Sequence, residues 1–516
     1  MPHSRRPGND PPGAEIGRPS RHRARSRLRP GKAAAAATFV LVAVATAGFA
    51  VARLVLDGGG PDVAPLALPS EIVGPDPLSF EAGRSAAYER AAAFGFSHSL
   101  FAKSPGGVAA TARRTSSFRP LIEDAVAGSG FDADLVEALV FLESAGRPDV
   151  IAGDDPEHAA GLTQILAETA TTFLGMPVDL AASRRLTRSI AAASRRGQWA
   201  AVERLQAERR RADARFDPVQ ALAGTVRYLS EAQRRFGRVD LALVSYHMGI
   251  GNLESVLRAF AGRETGSIED VVAEEGLDFA RVYFDSSPVR NRAAWARLAS
   301  FGDDSQTYYW RLLAAREIMR LFRDDARRLG RLARLHGRGS SAELVLHPPG
   351  ARPRFATPAD LEAAVERGVV RPLPRNPARH RFRFDPGVDR TTARLAGDPA
   401  AYRALRPRAL RVLGYVAGRV HELSGEERPL TVARAASDLA SGAGPGPPDL
   451  GDAAHPSLHA TGYSFDVERR YGSTAQAEAF QWTLERMQAL GLIAWARGRA
   501  AIHVTVSPLA AVRSRS

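Results

Sequence analysis

FDADLVEALVFLESAG, residues 131–146, decides the fold, because this stretch contains a complete apolar helix together with signals for both of its ends. Asp132 can cap the first turn, and Gly146 and Pro148 end the helix. The apolar residues of its buried face are Leu135, Val136, Leu139, Val140 and Leu142. Glu143 lies at the end of this face and is a candidate general acid, although an isolated glutamate at such a position is more often a solvated helix end.

The same helical pattern continues from Phe118 to about Asp324 and predicts a mainly α domain over residues 118–324. The periodic apolar segments are 118–128, 132–143, 218–236, 239–246, 251–260 and 308–322. They show no repeat of fixed period, which argues against a solenoid. Within the domain, residues 183–215 form a strongly basic helical insertion. Such a helix is usually a solvated face, and the alternative is docking onto anionic cell wall or lipid headgroups.

The composition excludes several classes of protein. At 516 residues the chain can form two or three domains, and with no cysteine it can form neither a disulfide nor a thiolate metal site. Half of the formal charge of +14 comes from residues 1–32, where nine Arg or Lys residues face only Asp10 and Glu15. Because no nucleic-acid motif accompanies this charge, we expect no nucleic-acid partner.

The N-terminal region predicts an export signal. A basic tail, residues 1–32, precedes a signal anchor, residues 33–56, whose stretch 33–52 has no charge and matches a bilayer in length. The alternative is a signal peptide cleaved at Ala50-Val51-Ala52. We expect a single-pass protein of the inner membrane whose remaining domains lie on the periplasmic or extracytoplasmic side. Residues 57–117 are interpreted as linker and spacer.

The C-terminal part predicts a smaller α+β domain. Residues 325–354 are interpreted as a linker, and residues 355–516 combine helical with short strand-like segments. The helical segments are 359–368, 400–423 and 474–491, and the strand-like segments are 429–433, 463–467 and 501–507.

Four motifs of the helical domain resemble, in the same order, those of the lysozyme-like soluble lytic transglycosylases. They are FLESAGRPDV (141–150), AAGLTQI (159–165), LALVSYHMGIGNLESVL (241–257) and YYWRLLAAREIM (308–319). The resemblance implies an enzyme without a cofactor that cleaves peptidoglycan between N-acetylmuramic acid and N-acetylglucosamine and leaves an anhydro-muramyl end. It implies that Glu143 is the single catalytic acid and base and that Ser144 supports the substrate or the carboxylate. The residues implied to contact substrate are Gly161, Leu162, Gln164, Tyr246, His247 and Tyr308.

The residues themselves agree with this chemistry. A glycosidic oxygen leaves readily only when protonated, so the acid must keep its proton near neutral pH, which burial at an apolar helix end favours. Most glycosidases use two carboxylates, whereas here no second one occupies a matching motif. The chain departs from the family at His247, where asparagine is usual, and at Thr163, where methionine is common. An inactive peptidoglycan-binding scaffold and a hydrolytic lysozyme-like muramidase therefore remain alternatives.

Two C-terminal motifs resemble zinc D-alanyl-D-alanine carboxypeptidases. HPSLHATGYSFDV (455–467) and AAIHVTV (500–506) imply that His459, Asp466 and His503 bind zinc. The family places a catalytic glutamate where this chain has Ala500, and its substrate-binding arginine aligns only ambiguously with Arg434. Three interpretations follow: a binding or structural module of this fold, an active zinc peptidase with a displaced base, and an unrelated α+β domain.

Overall fold

The computed structural model describes residues 76–337, 341–348, 350–351, 353–385, 397–441 and 456–512. The predicted basic tail and signal anchor, residues 1–56, lie outside these residues, as does the first part of the predicted linker. Among the helices of the described part, none has both the length and the apolar character needed to cross a bilayer.

The N-terminal half of the described chain is helical, as the sequence predicts. Its helices are α1 (Ser85–Lys103), α2 (Val108–Ser116), α3 (Arg119–Val126), α4 (Ala133–Ser144), α5 (Leu180–Arg195), α6 (Trp199–Ala212), α7 (Pro218–Phe236), α8 (Val239–Met248), α9 (Ile250–Ala261), α10 (Ile268–Glu275), α11 (Phe279–Phe284), α12 (Arg292–Ser300) and α13 (Tyr308–Asp324). Helix α13 packs against both α1 and α4, and α7 packs against α8. The segment 85–116, interpreted from the sequence as part of a spacer, therefore contributes helices to this helical core.

The segment interpreted as a linker also contains helices. Helix α14 (Ala326–Leu335) packs against α13 and buries Leu329 and Leu332. The short helix α15 (Ala342–Leu346) packs against two strands of the C-terminal sheet. This short helix brings a charged residue into the C-terminal site described below.

The C-terminal part is α+β, as predicted. Its helices are α16 (Pro358–Glu366), α17 (Pro377–His380), α18 (Pro407–Ser424), α19 (Pro456–His459) and α20 (Thr474–Ala489). Its strands are β1 (Arg371–Pro372), β2 (Phe382–Phe384), β3 (Ala404–Leu405), β4 (Leu430–Arg434), β5 (Ser464–Glu468), β6 (Ile493–Arg497) and β7 (Ala501–Val506). A five-stranded sheet has the order β2-β4-β5-β7-β6, in which only the β2–β4 pair is parallel, and β1 pairs with β3 separately.

The helical and the α+β parts share one hydrophobic core. Helix α20 packs against α1, and its Trp482 indole donates a hydrogen bond to the Ser286 carbonyl at 2.7 Å. The Arg486 guanidinium stacks 3.6 Å from the centre of the Tyr283 ring and donates to the Tyr283 carbonyl. These buried contacts hold α20 on the helical part of the chain.

Candidate functional site

Helix α4 presents Glu143 at its last turn, and its two ends form as the sequence predicts. The Asp132 carboxylate caps the start by accepting the Asp134 backbone N–H at 2.9 Å. Ala145 and Gly146 end the helix with φ angles of 55° and 68°. A Cβ on Gly146 would lie 2.6 Å from the Thr115 backbone nitrogen, so only glycine allows this close approach to α2. The tight end fixes the position of the half-buried Glu143.

The partner of Glu143 is Tyr308, the first residue of α13. The Tyr308 hydroxyl donates a hydrogen bond to Glu143 Oε1 at 2.7 Å. Burial raises the pKa of the Glu143 carboxyl from 4.5 to about 7, although the Tyr308 hydrogen bond and the Arg311 charge both lower it. A carboxyl group with this pKa holds its proton in a large fraction of molecules at neutral pH and can donate it.

Tyr308 is held in turn by His247. The His247 ring stacks on the Tyr308 ring, with centroids 4.8 Å apart and planes 5° apart. His247 Nε2 lies 4.0 Å from a carboxylate oxygen of Asp303. Burial lowers the pKa of His247, so its imidazole is largely neutral at pH 7. The histidine that departs from the family pattern is therefore packed on the tyrosine that contacts the catalytic candidate.

Tyr246 is a second tyrosine of the site, and it orients the loop that follows α4. Its hydroxyl donates to the Thr163 carbonyl at 2.8 Å and lies 3.2 Å from the Thr225 hydroxyl. Its ring contacts Tyr228 edge to face at 5.3 Å. This half-buried side chain connects α8 to the Gly161–Gln164 loop.

The other residues expected to contact substrate have structural contacts. Leu162 is fully buried, so its side chain does not line a groove, and Ser144 is buried with its hydroxyl donating to the Val140 carbonyl at 3.2 Å. The Gln164 amide donates to the carbonyls of Val150 and Gly161 at 3.2 and 2.8 Å. Leu162 is thus a core residue.

Position 161 requires glycine because the backbone of Arg215 passes very close to it. Its φ is 81°, and a Cβ there would lie 1.7 Å from the Arg215 carbonyl oxygen. The guanidinium of Arg215 is also fully buried and donates to the carbonyls of His158, Ile165 and Pro156 at 3.0, 3.2 and 2.5 Å. Arg215 therefore holds the loop through both its backbone and its side chain.

The basic insertion consists of helices α5 and α6, which pack against each other as a hairpin, and of Arg215 at its end. Most of its arginines are exposed or half-buried, as expected for a solvated face, but that prediction is wrong for Arg209 and Arg215. Arg209 donates to the Asp149 carboxylate at 3.0 Å, and Arg215 pairs with the buried Asp213 at 2.7 Å. A buried arginine is destabilising unless its charge is paired with a carboxylate. These two ion pairs hold segments on both sides of the Gly161–Gln164 loop.

Three contributors to the helical site escaped the sequence reasoning: Arg311, Asp303 and Arg215. Arg311 follows Tyr308 by three residues on the same helix, a spacing that places both on one face. Asp303 and Arg215 carried no signal beyond ordinary surface charge. Only the folded structure shows that Asp303 lies beside His247 and that Arg215 lies beside Gly161.

The C-terminal sheet brings the three predicted zinc ligands together. Asp466 on β5 pairs in register with His503 on β7, and His459 ends α19. His503 Nδ1 lies 2.7 Å and His459 Nε2 lies 3.3 Å from Asp466 Oδ1. Candidate ligand atoms of the three residues lie within 4.8 Å of one another, and all three side chains are fully buried.

The donor set fits a metal ion. His459 Nδ1 lies 2.6 Å from the Ala435 carbonyl, which can only accept, so Nδ1 carries the hydrogen and Nε2 offers a lone pair. His459 Nε2 and Asp466 Oδ2 have no hydrogen-bond partner among the described residues. Burial lowers the pKa of His459, whereas the hydrogen bond that His503 donates to the Asp466 carboxylate outweighs burial and raises the pKa of His503. The neighbouring His459 and His503 attract the charge of Asp466, which outweighs its burial and lowers its pKa.

Two further charged residues border this cluster. Arg434 Nε lies 3.6 Å from Asp466 Oδ2, and Glu343 Oε1 of α15 lies 3.7 Å from His503 Nε2. Ala500, at the position where the carboxypeptidases that these motifs resemble have a glutamate, directly precedes β7. Glu343 lies in the stretch interpreted as a linker, and sequence reasoning missed it because no motif marks it.

Comparison with known proteins identifies one matching segment. Residues 198–267, which run from the start of α6 to beyond α9, match the model of the Transglycosylase SLT domain family. No curated protein matches the chain. The match supports a lytic transglycosylase-like, peptidoglycan-acting function. It contains Tyr246 and His247 and begins inside the predicted insertion 183–215, whereas Glu143 and Tyr308 lie outside it.

Proposed function

We propose that the chain is a membrane-anchored peptidoglycan lytic transglycosylase that cleaves between N-acetylmuramic acid and N-acetylglucosamine, with Glu143 as its single acid and base. The observation that carries the proposal is the hydrogen bond from Tyr308 to a Glu143 carboxyl whose pKa is raised to about 7. The SLT match at residues 198–267 supports the substrate class. The N-terminal anchor, residues 33–56, would place this site outside the cytoplasm, where peptidoglycan is found.

The reaction needs one proton donor that later becomes a proton acceptor. Protonated Glu143 gives its proton to the glycosidic oxygen as the bond to the muramic acid carbon breaks. A hydroxyl group of the same muramic acid then attacks that carbon, and the Glu143 carboxylate takes up the hydroxyl proton. The ring closes to an anhydro end, so no water is consumed and no second carboxylate is required.

The tyrosine and its histidine support this cycle. Since Tyr308 donates to Oε1, the other carboxyl oxygen is the one that exchanges the proton. Burial and the neighbouring Glu143 charge raise the pKa of Tyr308 well above 10, so its hydroxyl remains a donor throughout. His247, stacked on the Tyr308 ring, limits the rotation of that ring.

Digestion of purified sacculi by the full chain, followed by mass analysis, tests the proposal. We expect products one water molecule lighter than hydrolysis products, and a fall in their release of about 10²–10⁴-fold in Glu143→Gln. Glu203→Gln on the exposed face of α6 is the matched control and should leave release unchanged. Products that contain the added water would identify a hydrolytic muramidase. Binding of sacculi without any product would identify a scaffold.

For the C-terminal part we propose a zinc-binding module that does not hydrolyse peptides. The buried set of His459, Asp466 and His503 supports metal binding, and Ala500 in the place of the base argues against hydrolysis. Zinc bound there would polarise a bound group as a Lewis acid and would link β5, β7 and α19. Metal analysis of the full chain, wild type against His459→Ala, tests this second proposal.

A further inference from the structure

Glu343 is a buried carboxylate on a short helix that packs against the C-terminal sheet. It is 2% exposed, on the five-residue helix α15, and its neighbours Val345 and Leu346 are also buried. Ser341 caps this helix by accepting the Leu344 backbone N–H at 3.2 Å. Because α15 packs against β6 and β7, the carboxylate lies against the sheet that carries the zinc site. Burying a carboxylate costs several kcal/mol unless a polar or charged partner compensates.

One group that faces Glu343 is the ring nitrogen of His503 that points away from the cluster. Glu343 Oε1 lies 3.7 Å from His503 Nε2, which is within ion-pair range and about half an ångström beyond the longest hydrogen bond of this kind. On the other side of the ring, Nδ1 lies 2.7 Å from Asp466 Oδ1. Nδ1 is therefore the nitrogen on the side of Asp466 and His459, and Nε2 faces the linker helix.

We propose that Glu343 is a positioning residue of the metal site, whose charge keeps a hydrogen on His503 Nε2 and so leaves Nδ1 to bind the metal once the metal has displaced the Nδ1 hydrogen. A neutral imidazole that binds metal through one nitrogen carries its hydrogen on the other, and a carboxylate facing that hydrogen fixes the tautomer and the ring orientation. The inference rests on the proposed zinc site. It assigns a function to the segment 325–354 beyond that of a linker.

One competing acceptor lies beside the same nitrogen. The Thr505 hydroxyl is 3.2 Å from His503 Nε2 and 2.9 Å from the Ser464 hydroxyl. A hydroxyl can rotate between these partners, whereas a buried carboxylate can only accept. Glu343 therefore acts on the ring through its charge, which favours a hydrogen on Nε2 whichever way the Thr505 hydroxyl is turned.

The test is zinc affinity of the purified full chain, measured by metal content and by competition with a chromophoric chelator. We expect Glu343→Gln to weaken zinc binding by about 10–100-fold. Thr505→Val should weaken it by less, and His459→Ala should abolish it. Glu366→Gln, an exposed carboxylate at the end of α16, is the matched control and should bind as the wild type does. Release of glycan products by every variant shows that the helical part is folded.

Each result decides the inference. If Glu343→Gln does not fold, Glu343→Asp replaces it in the experiment. This variant keeps the charge but moves it back by one methylene, and it should also bind zinc more weakly than the wild type. Zinc binding by Glu343→Gln equal to that of the wild type overturns the inference while leaving the zinc site intact. A larger loss in Thr505→Val than in Glu343→Gln assigns the role to the hydroxyl and also overturns it. A wild-type chain that binds no zinc overturns both the zinc site and the inference.

Discussion

Tyr308→Phe should shift the alkaline limit of glycan cleavage upward. The Tyr308 hydroxyl donates to Glu143 Oε1 at 2.7 Å and favours the ionised carboxylate over the protonated acid. Without this hydroxyl, burial still raises the pKa of Glu143, and only the Arg311 charge opposes it. A hydrogen bond to a charged group contributes about 1.5–3 kcal/mol, and one pKa unit corresponds to about 1.36 kcal/mol. The pKa of Glu143, about 7 in the wild type, should therefore rise by about 1–2 units in the variant.

The sign of the effect on rate follows from the role of the acid. Glu143 must be protonated when the glycosidic bond breaks, so cleavage by the wild type should fall as the pH rises through about 7. In the variant this fall should begin about 1–2 pH units higher. Well below pH 7 both proteins hold the proton, and any deficit of the variant there reports lost positioning of the carboxyl group.

The assay is kcat/KM for glycan fragments across the pH range in which the protein stays folded. Tyr309→Phe is the matched control, because the neighbouring hydroxyl is also buried on α13 but donates to Glu89 at 3.0 Å. Its alkaline limit should equal that of the wild type. An unchanged or lowered limit in Tyr308→Phe would refute the coupling between the tyrosine and the acid.

Two further predictions concern stability. Since the folded chain raises the pKa of Glu143 from 4.5 to about 7, ionisation costs folding free energy above pH 4.5. Glu143→Gln should thus increase the free energy of unfolding by up to about 3 kcal/mol at pH 8 and by little at pH 4, as measured by urea unfolding; an equal gain at both values would contradict this. Arg215→Met leaves Asp213 buried without its partner and should cost about 3–5 kcal/mol, whereas Arg211→Met on the surface should cost less than about 0.5 kcal/mol in the same assay.

Helix α4 shows how far sequence reasoning reaches and where it stops. Its boundaries and apolar face follow from local signals, and the structure confirms them except that Leu142 is only half-buried. Glu137 and Glu143 both lie on this helix, yet their partners differ. Glu137 is fully buried between Arg119 and Arg323, whereas Glu143 meets a tyrosine hydroxyl. Distant segments provide these partners, so periodicity cannot tell a structural glutamate from a candidate acid; the motif resemblance made that choice.

The C-terminal site shows the same limit at longer range. The resemblance of the two C-terminal motifs implied that His459, Asp466 and His503 form a cluster, and these residues do come together. Glu343 was missed because it lies in a stretch rich in arginine and glycine, where a five-residue helix leaves almost no periodic signal. Its significance depends on packing against β7, which the sequence does not reveal.

The Gly161–Gln164 loop shows that a residue can match a family motif for a structural reason. The motif implied substrate contacts, yet Gly161 is explained by the carbonyl of Arg215 1.7 Å from its missing Cβ, and Leu162 by its burial in the core. The Tyr246 hydroxyl holds the loop through the Thr163 carbonyl, and the Arg215 guanidinium holds its flanks. These motif residues therefore fix the backbone path of the loop. Substitutions at Gly161 and Leu162 should therefore act through stability and the position of the loop rather than through lost side-chain contacts with the glycan.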